Sequence, residues 1–267
     1  MKKRDYQCVF LSLLLSVLPF VNFAAADSLL IDENGDGLLF YLAFGDSITY
    51  GSGDGTQPGQ DVPVAPRTDG TGGYPARLEA WLGIAVRNAA RPGEYLTTSG
   101  QYRFVSVVQG SAADIVGVME GVNDTFKRPA ASDYELAYQR VVNVTQALGK
   151  KPLLITLPQP CCFRKDLAPF ARLASGQVRA VSARNGLPYV DVEKAWSTTC
   201  ANKGECELLC RPDGLHPNSK GYDVIAQTVA AVLMGIDIFA SDGAKQLEDA
   251  LGWEPGTVIV KPASTAG

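Results

Sequence analysis

Between residues 38 and 232 the chain alternates short apolar runs with longer stretches in which apolar positions recur at helical spacing. That alternation is the pattern of βαβ units assembled into a parallel sheet with helices over it. Apolar runs over residues 38–44, 84–88, 114–119, 153–157 and 189–192 predict five strands. Helical spacing predicts helices over 74–82, 96–109, 132–148 and 167–184, the last stopped by Asn185-Gly186, and a fifth after Pro217. Two segments lack a period. Residues 51–73, dense in Gly, Pro, Asp and Thr, predict a long surface loop, which in a compact domain is more often functional than idle. Residues 235–267 hold one helical pattern (244–251) and one apolar run (258–260), and read as an extension packed on the domain.

The first residues break the pattern. A basic start, Met1-Lys2-Lys3-Arg4, precedes an apolar run from Cys8 to Phe23 and the small-residue site Ala24-Ala25-Ala26. This is the form of a signal peptide over residues 1–26, and an apolar run of about 16 residues falls short of the roughly 20 that a spanning helix needs. The expectation is a secreted or periplasmic protein without a stable membrane anchor. Losing the leader's net +2 shifts the formal charge from −4 to −6 and leaves 241 residues, enough for one domain with a large core. An acidic exported chain is a poor partner for nucleic acid, whose affinity comes from Lys and Arg meeting phosphates.

Cysteine usage agrees with export, because Cys161, Cys162, Cys200, Cys206 and Cys210 would meet an oxidising compartment. The number is odd, so at least one thiol is left over, and the pairing stays open. A zinc site is disfavoured: there are no two C-x-x-C pairs, and His216 is the only histidine. Asp32-Glu33-Asn34-Gly35-Asp36-Gly37 imitates the start of a calcium loop, but Ala43 occupies the twelfth position, so the segment reads as a surface turn.

In parallel α/β sheets ligands meet the protein beyond the carboxyl ends of the strands, so the residues just after each predicted strand belong together. They are Gly45-Asp46-Ser47-Ile48-Thr49, Asn88-Ala89-Ala90-Arg91-Pro92-Gly93 and Gly121-Val122-Asn123-Asp124, with Asp213-Gly214-Leu215-His216 before the last helix. A serine hydroxyl needs a base to take its proton, and His216 is the one histidine that can do so. Asp213 can accept the other ring N–H and fix the tautomer. Backbone N–H groups of Ser47 and Gly93 and the amide of Asn123 could meet the negative charge that develops on an attacked carbonyl oxygen. Taken singly, Ser47, Gly93 and Asn123 read as ordinary turn and cap residues. Asn123-Asp124-Thr125 also matches a glycosylation sequon, a reading its place among these loops disfavours.

On these four blocks, in this order over residues 45–216, the chain resembles the SGNH (GDSL) hydrolase superfamily. The resemblance implies a flavodoxin-like three-layer α/β/α fold with a mainly parallel five-stranded sheet, no metal or other cofactor, and ester hydrolysis through an acyl-enzyme. It implies Ser47 as nucleophile, His216 as base, Asp213 as its partner, and Ser47, Gly93 and Asn123 as oxyanion donors. Asn88–Gly93 departs from the family in carrying alanine where many members have an early glycine, and Pro92 before the donor glycine. The serine lacks the G-x-S-x-G elbow, which argues against the larger α/β-hydrolase fold. The leading expectation is a short-chain carboxylic ester hydrolase, including action on carbohydrate O-acetyl groups. A lipid-directed esterase, lysophospholipase or thioesterase is the alternative, and a non-catalytic carbohydrate-binding or surface interaction protein the remote one. Because Cys210 lies three residues before Asp213, a disulfide among Cys200, Cys206 and Cys210 is expected to pin the Asp213–His216 loop.

Overall fold

A computed structural model describes residues 27–58, 61–62, 71–200 and 206–262; the predicted leader lies outside the described residues. The strands are β1 (Phe40–Gly45), β2 (Asp61–Val62), β3 (Ala85–Asn88), β4 (Ile115–Met119), β5 (Lys151–Ile155), β6 (Tyr189–Val190) and β7 (Arg211–Pro212). Five of them form one sheet in the order β3-β1-β4-β5-β6, every pair parallel. The helices are α1 (Ser47–Tyr50), α2 (Gly73–Leu82), α3 (Gln101–Gln109), α4 (Ala131–Ala147), α5 (Ala168–Arg184), α6 (Val192–Thr199), α7 (Ser219–Leu233) and α8 (Gly243–Leu251). Helices α3, α4 and α5 pack side by side on one face of the sheet, and α2, α7 and α6 on the other. This is the three-layer flavodoxin-like α/β/α arrangement expected from the sequence.

Burial explains the apolar runs. The central strands β1 and β4 are covered on both faces, so every residue after Phe40 in β1 and all of β4 is buried. The edge strand β3 alternates instead, with Ala85 and Arg87 exposed. Helix α7 carries buried residues almost all round, from Gly221 to Leu233, because α2, α6 and the sheet enclose it. Chain order reverses across β1: β3 pairs on one side and β4 on the other, which makes the carboxyl end of β1 the switch point where such sheets bind ligands.

Several boundaries differ from those the pattern predicts. The strand expected to run to residue 192 ends at Val190, because the Asp191 carboxylate accepts from Lys194 N at 3.1 Å and caps α6, a helix that the apolar pattern did not predict. The helix expected over 96–109 opens as a wide π turn, Leu96–Gly100, before α3 begins. The loop expected over 51–73 contains β2, whose Asp61 and Val62 pair with Arg211 and Pro212 just ahead of Asp213. Residues 59–60 and 63–70 of that loop lie outside the described residues.

The C-terminal stretch returns to the domain. Trp253 meets Trp81 edge to face at 4.8 Å, Gln227 of α7 bonds Thr257 O at 3.1 Å and Ile259 N at 2.9 Å, and Val258 and Val260 are buried. In the segment that imitates a calcium loop, Asp32 accepts from Gly35 N and Gly37 N at 2.7 and 2.8 Å, so its carboxylate is occupied by its own turn. No described helix is long and apolar enough to cross a membrane.

Candidate active site

At the end of β1 the chain turns sharply into α1, and Gly45 makes this possible. A Cβ there would lie 2.1 Å from Thr49 Oγ1 and 2.2 Å from the Met119 carbonyl oxygen. The close approach lets Thr49 Oγ1 donate to Met119 O at 2.9 Å, fastening the turn to β4. Asp46 caps α1 by accepting from Ile48 N at 3.0 Å, and its other oxygen accepts from Gly121 N and Val122 N, both at 3.3 Å. From α7, Tyr222 Oη donates to Ile48 O at 3.0 Å and Ser52 O at 2.8 Å. Ser47 is held in this turn, 7% exposed.

Residues 209–217 form a tight loop. Cys210 N donates to His216 O and Gly214 N to Cys210 O, both at 2.8 Å. Gly214, with φ +66°, has no room for a side chain, since a Cβ would lie 2.3 Å from Cys161 O. The loop places His216 Nε2 2.9 Å from Ser47 Oγ and His216 Nδ1 2.9 Å from Asp213 Oδ2. The same Asp213 oxygen accepts from His216 N at 2.8 Å and Leu215 N at 3.2 Å. Burial pushes the Asp213 carboxyl up, but the His216 hydrogen bond and charge and the two backbone donors outweigh it, so its pKa is lowered overall. A carboxylate at Nδ1 favours the tautomer with its proton there, leaving Nε2 to accept from Ser47.

The two predicted oxyanion loops are joined to this frame and to each other. Ala89 N donates to Ala43 O and Arg91 N to Gly45 O, both at 2.8 Å, so the segment bearing Gly93 continues along the end of β1. Gly93 sits in an exposed turn with φ +79°. Its neighbour Glu94 is buried and paired with Arg103, whose Nη1 also donates to Ala89 O at 2.9 Å. Asn123 Nδ2 donates to Glu94 O at 3.0 Å, which leaves its second N–H free. Neither the Ser47 N–H, at the first position of α1, nor the Gly93 N–H has an acceptor among the described residues. Ser47, His216 and Asp213 are therefore in direct contact, while Gly93 and Asn123 join them through Gly45 and Glu94.

Behind the site lie carboxyl groups that sequence reasoning did not single out. Burial raises the Asp46 pKa to about 6 despite its N–H donors and the nearby His216. Glu120 is fully buried with neither oxygen hydrogen-bonded, and burial, followed by the charges of Asp46 and Glu94, holds its pKa well above the carboxylate range. Asn218 was also missed: it caps α7 by accepting from Gly221 N at 3.0 Å and donates to Glu207 O at 2.7 Å, two residues beyond His216. The S/T/D/N capping rule could have found both Asp46 and Asn218; nothing in the sequence pointed to Glu120.

Of the three cysteines from which a loop disulfide was expected, Cys200 and Cys206 are the two that meet. Cys161 meets its neighbour Cys162, whereas Cys210 is buried and free. The cysteine pair that reaches the His216 loop is Cys161–Cys162, through Cys161 N donating to Gly214 O at 2.9 Å. Among the described residues no group of three or more His, Cys, Asp or Glu side chains is placed to hold a metal ion.

Comparison with known proteins matches residues 43–224 to the GDSL-like lipase/acylhydrolase family. No curated protein matches the chain in sequence. Similar solved structures include a lipase/acylhydrolase from Enterococcus faecalis, 24% identical, covering 74% of this chain and 96% of that one with a TM-score of 0.58. The α/β hydrolase LAE5 from the metagenome of Lake Arreo, Spain, is also 24% identical, covering 79% and 98% with a TM-score of 0.58. The acetylxylan esterase Axe2 from Geobacillus stearothermophilus is 20% identical, covering 76% and 97% with a TM-score of 0.54.

Proposed function

The chain belongs to the GDSL-like lipase/acylhydrolase family, and from that membership we propose that it is an exported serine ester hydrolase acting on short acyl groups, including O-acetyl groups on carbohydrate. The observation that carries the mechanism is the unbroken hydrogen-bond chain from Ser47 Oγ through His216 to Asp213, 2.9 Å at each step.

Ser47 Oγ attacks the ester carbonyl carbon as its proton passes to His216 Nε2, and Asp213 stabilises the imidazolium so formed. The N–H groups of Ser47 and Gly93 and the free Asn123 amide N–H meet the oxyanion, donors positioned before the charge develops. The tetrahedral intermediate collapses, the C–O bond breaks, and the departing alcohol takes the proton from Nε2. Water repeats the sequence on the acyl-Ser47, giving up its proton to Nε2, releasing the carboxylic acid and restoring the hydroxyl.

The short-acyl carbohydrate reading is supported by likeness to an acetylxylan esterase and by the polar segment after Ser47. Export of a single domain, residues 27–267, after removal of residues 1–26 is supported by the leader pattern and by two cysteine pairs suited to an oxidising compartment. A lipid-directed esterase is the second reading, favoured by the exposed rings of Phe126 and Phe163 on loops bordering the site.

Hydrolysis of chromogenic esters from acetyl to palmitoyl by the mature protein and by Ser47→Ala tests both points. Ser47→Ala is expected to lower kcat by at least about 10³-fold, and equal rates would sink the mechanism. A rate that falls with chain length supports the short-acyl reading; one that rises supports the lipid-directed one.

A further inference from the structure

Contacts between cations and aromatic rings tie together the loops that carry Gly93, Asn123 and Cys161. Lys127, four residues after Asn123, holds Nζ 3.7 Å from the centroid of the Tyr95 ring, two residues after Gly93. Arg164 lies with its guanidinium carbon 5.0 Å from the Phe126 ring and 5.6 Å from the Phe163 ring. Its backbone N–H donates to Cys161 O at 2.8 Å, and Cys161 N donates to Gly214 O, between Asp213 and His216. The Arg164–Phe126 contact thus spans from the Asn123 loop to the His216 loop.

These cations are unanswered. Among the described residues Lys127, Arg128 and Arg164 form no ion pair with a carboxylate, and Arg164 Nε is buried without an acceptor. Segments 123–128 and 161–167 carry Lys127, Arg128, Arg164 and Lys165 against Asp124 and Asp166. Asp124 is buried, and its carboxylate is taken up by Leu96 N at 2.8 Å, Thr97 N at 2.9 Å and the Thr97 hydroxyl. That leaves Asp166 as the one exposed carboxylate in these two segments against four cations, in a chain whose net charge is −4. Flat apolar surface stands beside the charge: Phe126 is 41% exposed and Phe163 75%.

We infer that this rim is the subsite for the alcohol side of the substrate, and that the ester is borne on an acidic sugar whose carboxylate lies against Arg164 and Lys127. The inference rests on the ester hydrolysis proposed above: with a short acyl group, the surface beyond Ser47 is left to the alcohol. A guanidinium presents a planar fork that matches a carboxylate, and the phenyl faces offer apolar contact to a sugar ring. The Arg164 guanidinium lies against both rings, which sets a charge beside the apolar surface that a lipid-directed reading would use.

The test compares substrates sharing one acyl group: mono-O-acetyl methyl glucoside, mono-O-acetyl methyl glucuronoside, 1-acetylglycerol and 1-acetylglycerol 3-phosphate. The wild-type protein is expected to favour the glucuronoside over the glucoside by about tenfold in kcat/KM, through KM, the size of effect that one charge-assisted hydrogen bond gives. The preference should shrink with added salt. It should fall to about one in the double variant Arg164→Gln, Lys127→Gln and persist in Arg164→Lys, Lys127→Arg, with circular dichroism reporting the fold of each. Equal rates on the two glycosides, a preference that survives the Gln variant, or a charge preference confined to the glycerol phosphate ester would each overturn the inference. A wild-type protein that hydrolyses none of the four esters would instead remove the esterase reading itself.

Discussion

Asp213 concentrates three hydrogen bonds on one oxygen, from the His216 ring, His216 N and Leu215 N. An asparagine turned with its oxygen in that place can accept all three, but it carries no charge to stabilise the imidazolium. Asp213→Asn is therefore expected to lower kcat by about 10³ to 10⁴-fold with little change in KM, read from steady-state kinetics on a neutral ester. Asn123 stands differently, because one of its N–H groups is committed to Glu94 O and only the other is free for a developing oxyanion. Asn123→Ala should cost about 10² to 10³-fold in kcat, and an effect below threefold would remove it from the proposed machinery. At Gly45 the constraint is space. Gly45→Ala would drive a methyl into Thr49 Oγ1 and Met119 O, both close to 2 Å away, and should destabilise by about 3 kcal/mol, measured by denaturant unfolding.

At the scale of elements, Asp46 does two jobs: it caps α1 and ties the Ser47 turn to the loop carrying Asn123. Its folded pKa, about 6, lies above its unfolded value of 3.8, so the native state holds that proton more tightly than the unfolded chain. This group therefore destabilises the ionised protein above pH 6, and its penalty is relieved as pH falls from 7 to 5, by about 1 kcal/mol. Urea unfolding of wild type and Asp46→Asn at the two pH values isolates that difference; identical pH dependence in both proteins would contradict it. The opposite sign holds for Asp213: its lowered pKa gives stability present at neutral pH and lost only as pH falls through the lowered value. Helix α7 starts at Asn218, which closes the loop holding His216 by its bonds to Glu207 O and Leu209 O. Removal of one N-cap costs about 1 kcal/mol, and Asn218→Ala should lose more than that in thermal melting, together with turnover, because the same change frees the loop.

Across the whole molecule, the site is assembled from four segments far apart in the chain, and its stiffness depends on contacts between them. Cys161 and Cys162 lie against Gly214, so reducing the protein should lower ester turnover more than it lowers helix content, and replacing both by serine should mimic reduction. Turnover unchanged by either treatment would show that backbone hydrogen bonds alone hold the loop. The sequence by itself determined the layer architecture, since runs buried on both faces must read as continuous apolar segments and helices covering them must be apolar at 3.6 spacing. It also singled out Ser47, Gly93 and Asn123 just after predicted strands and Asp213 and His216 ahead of the last helix, of which the structure brings Ser47, His216 and Asp213 into direct contact. It missed α6, which the Asp191 cap starts, and the π turn before α3. Only the tertiary structure decided which carboxyls are buried together behind Ser47, that Cys161 and Cys162 pack against the His216 loop while Cys210 lies within it as a free thiol, and that Lys127 and Arg164 rest on aromatic rings without acidic partners. Those are relations between residues tens of positions apart, and periodicity along a chain records each residue's burial but not which distant neighbour provides it.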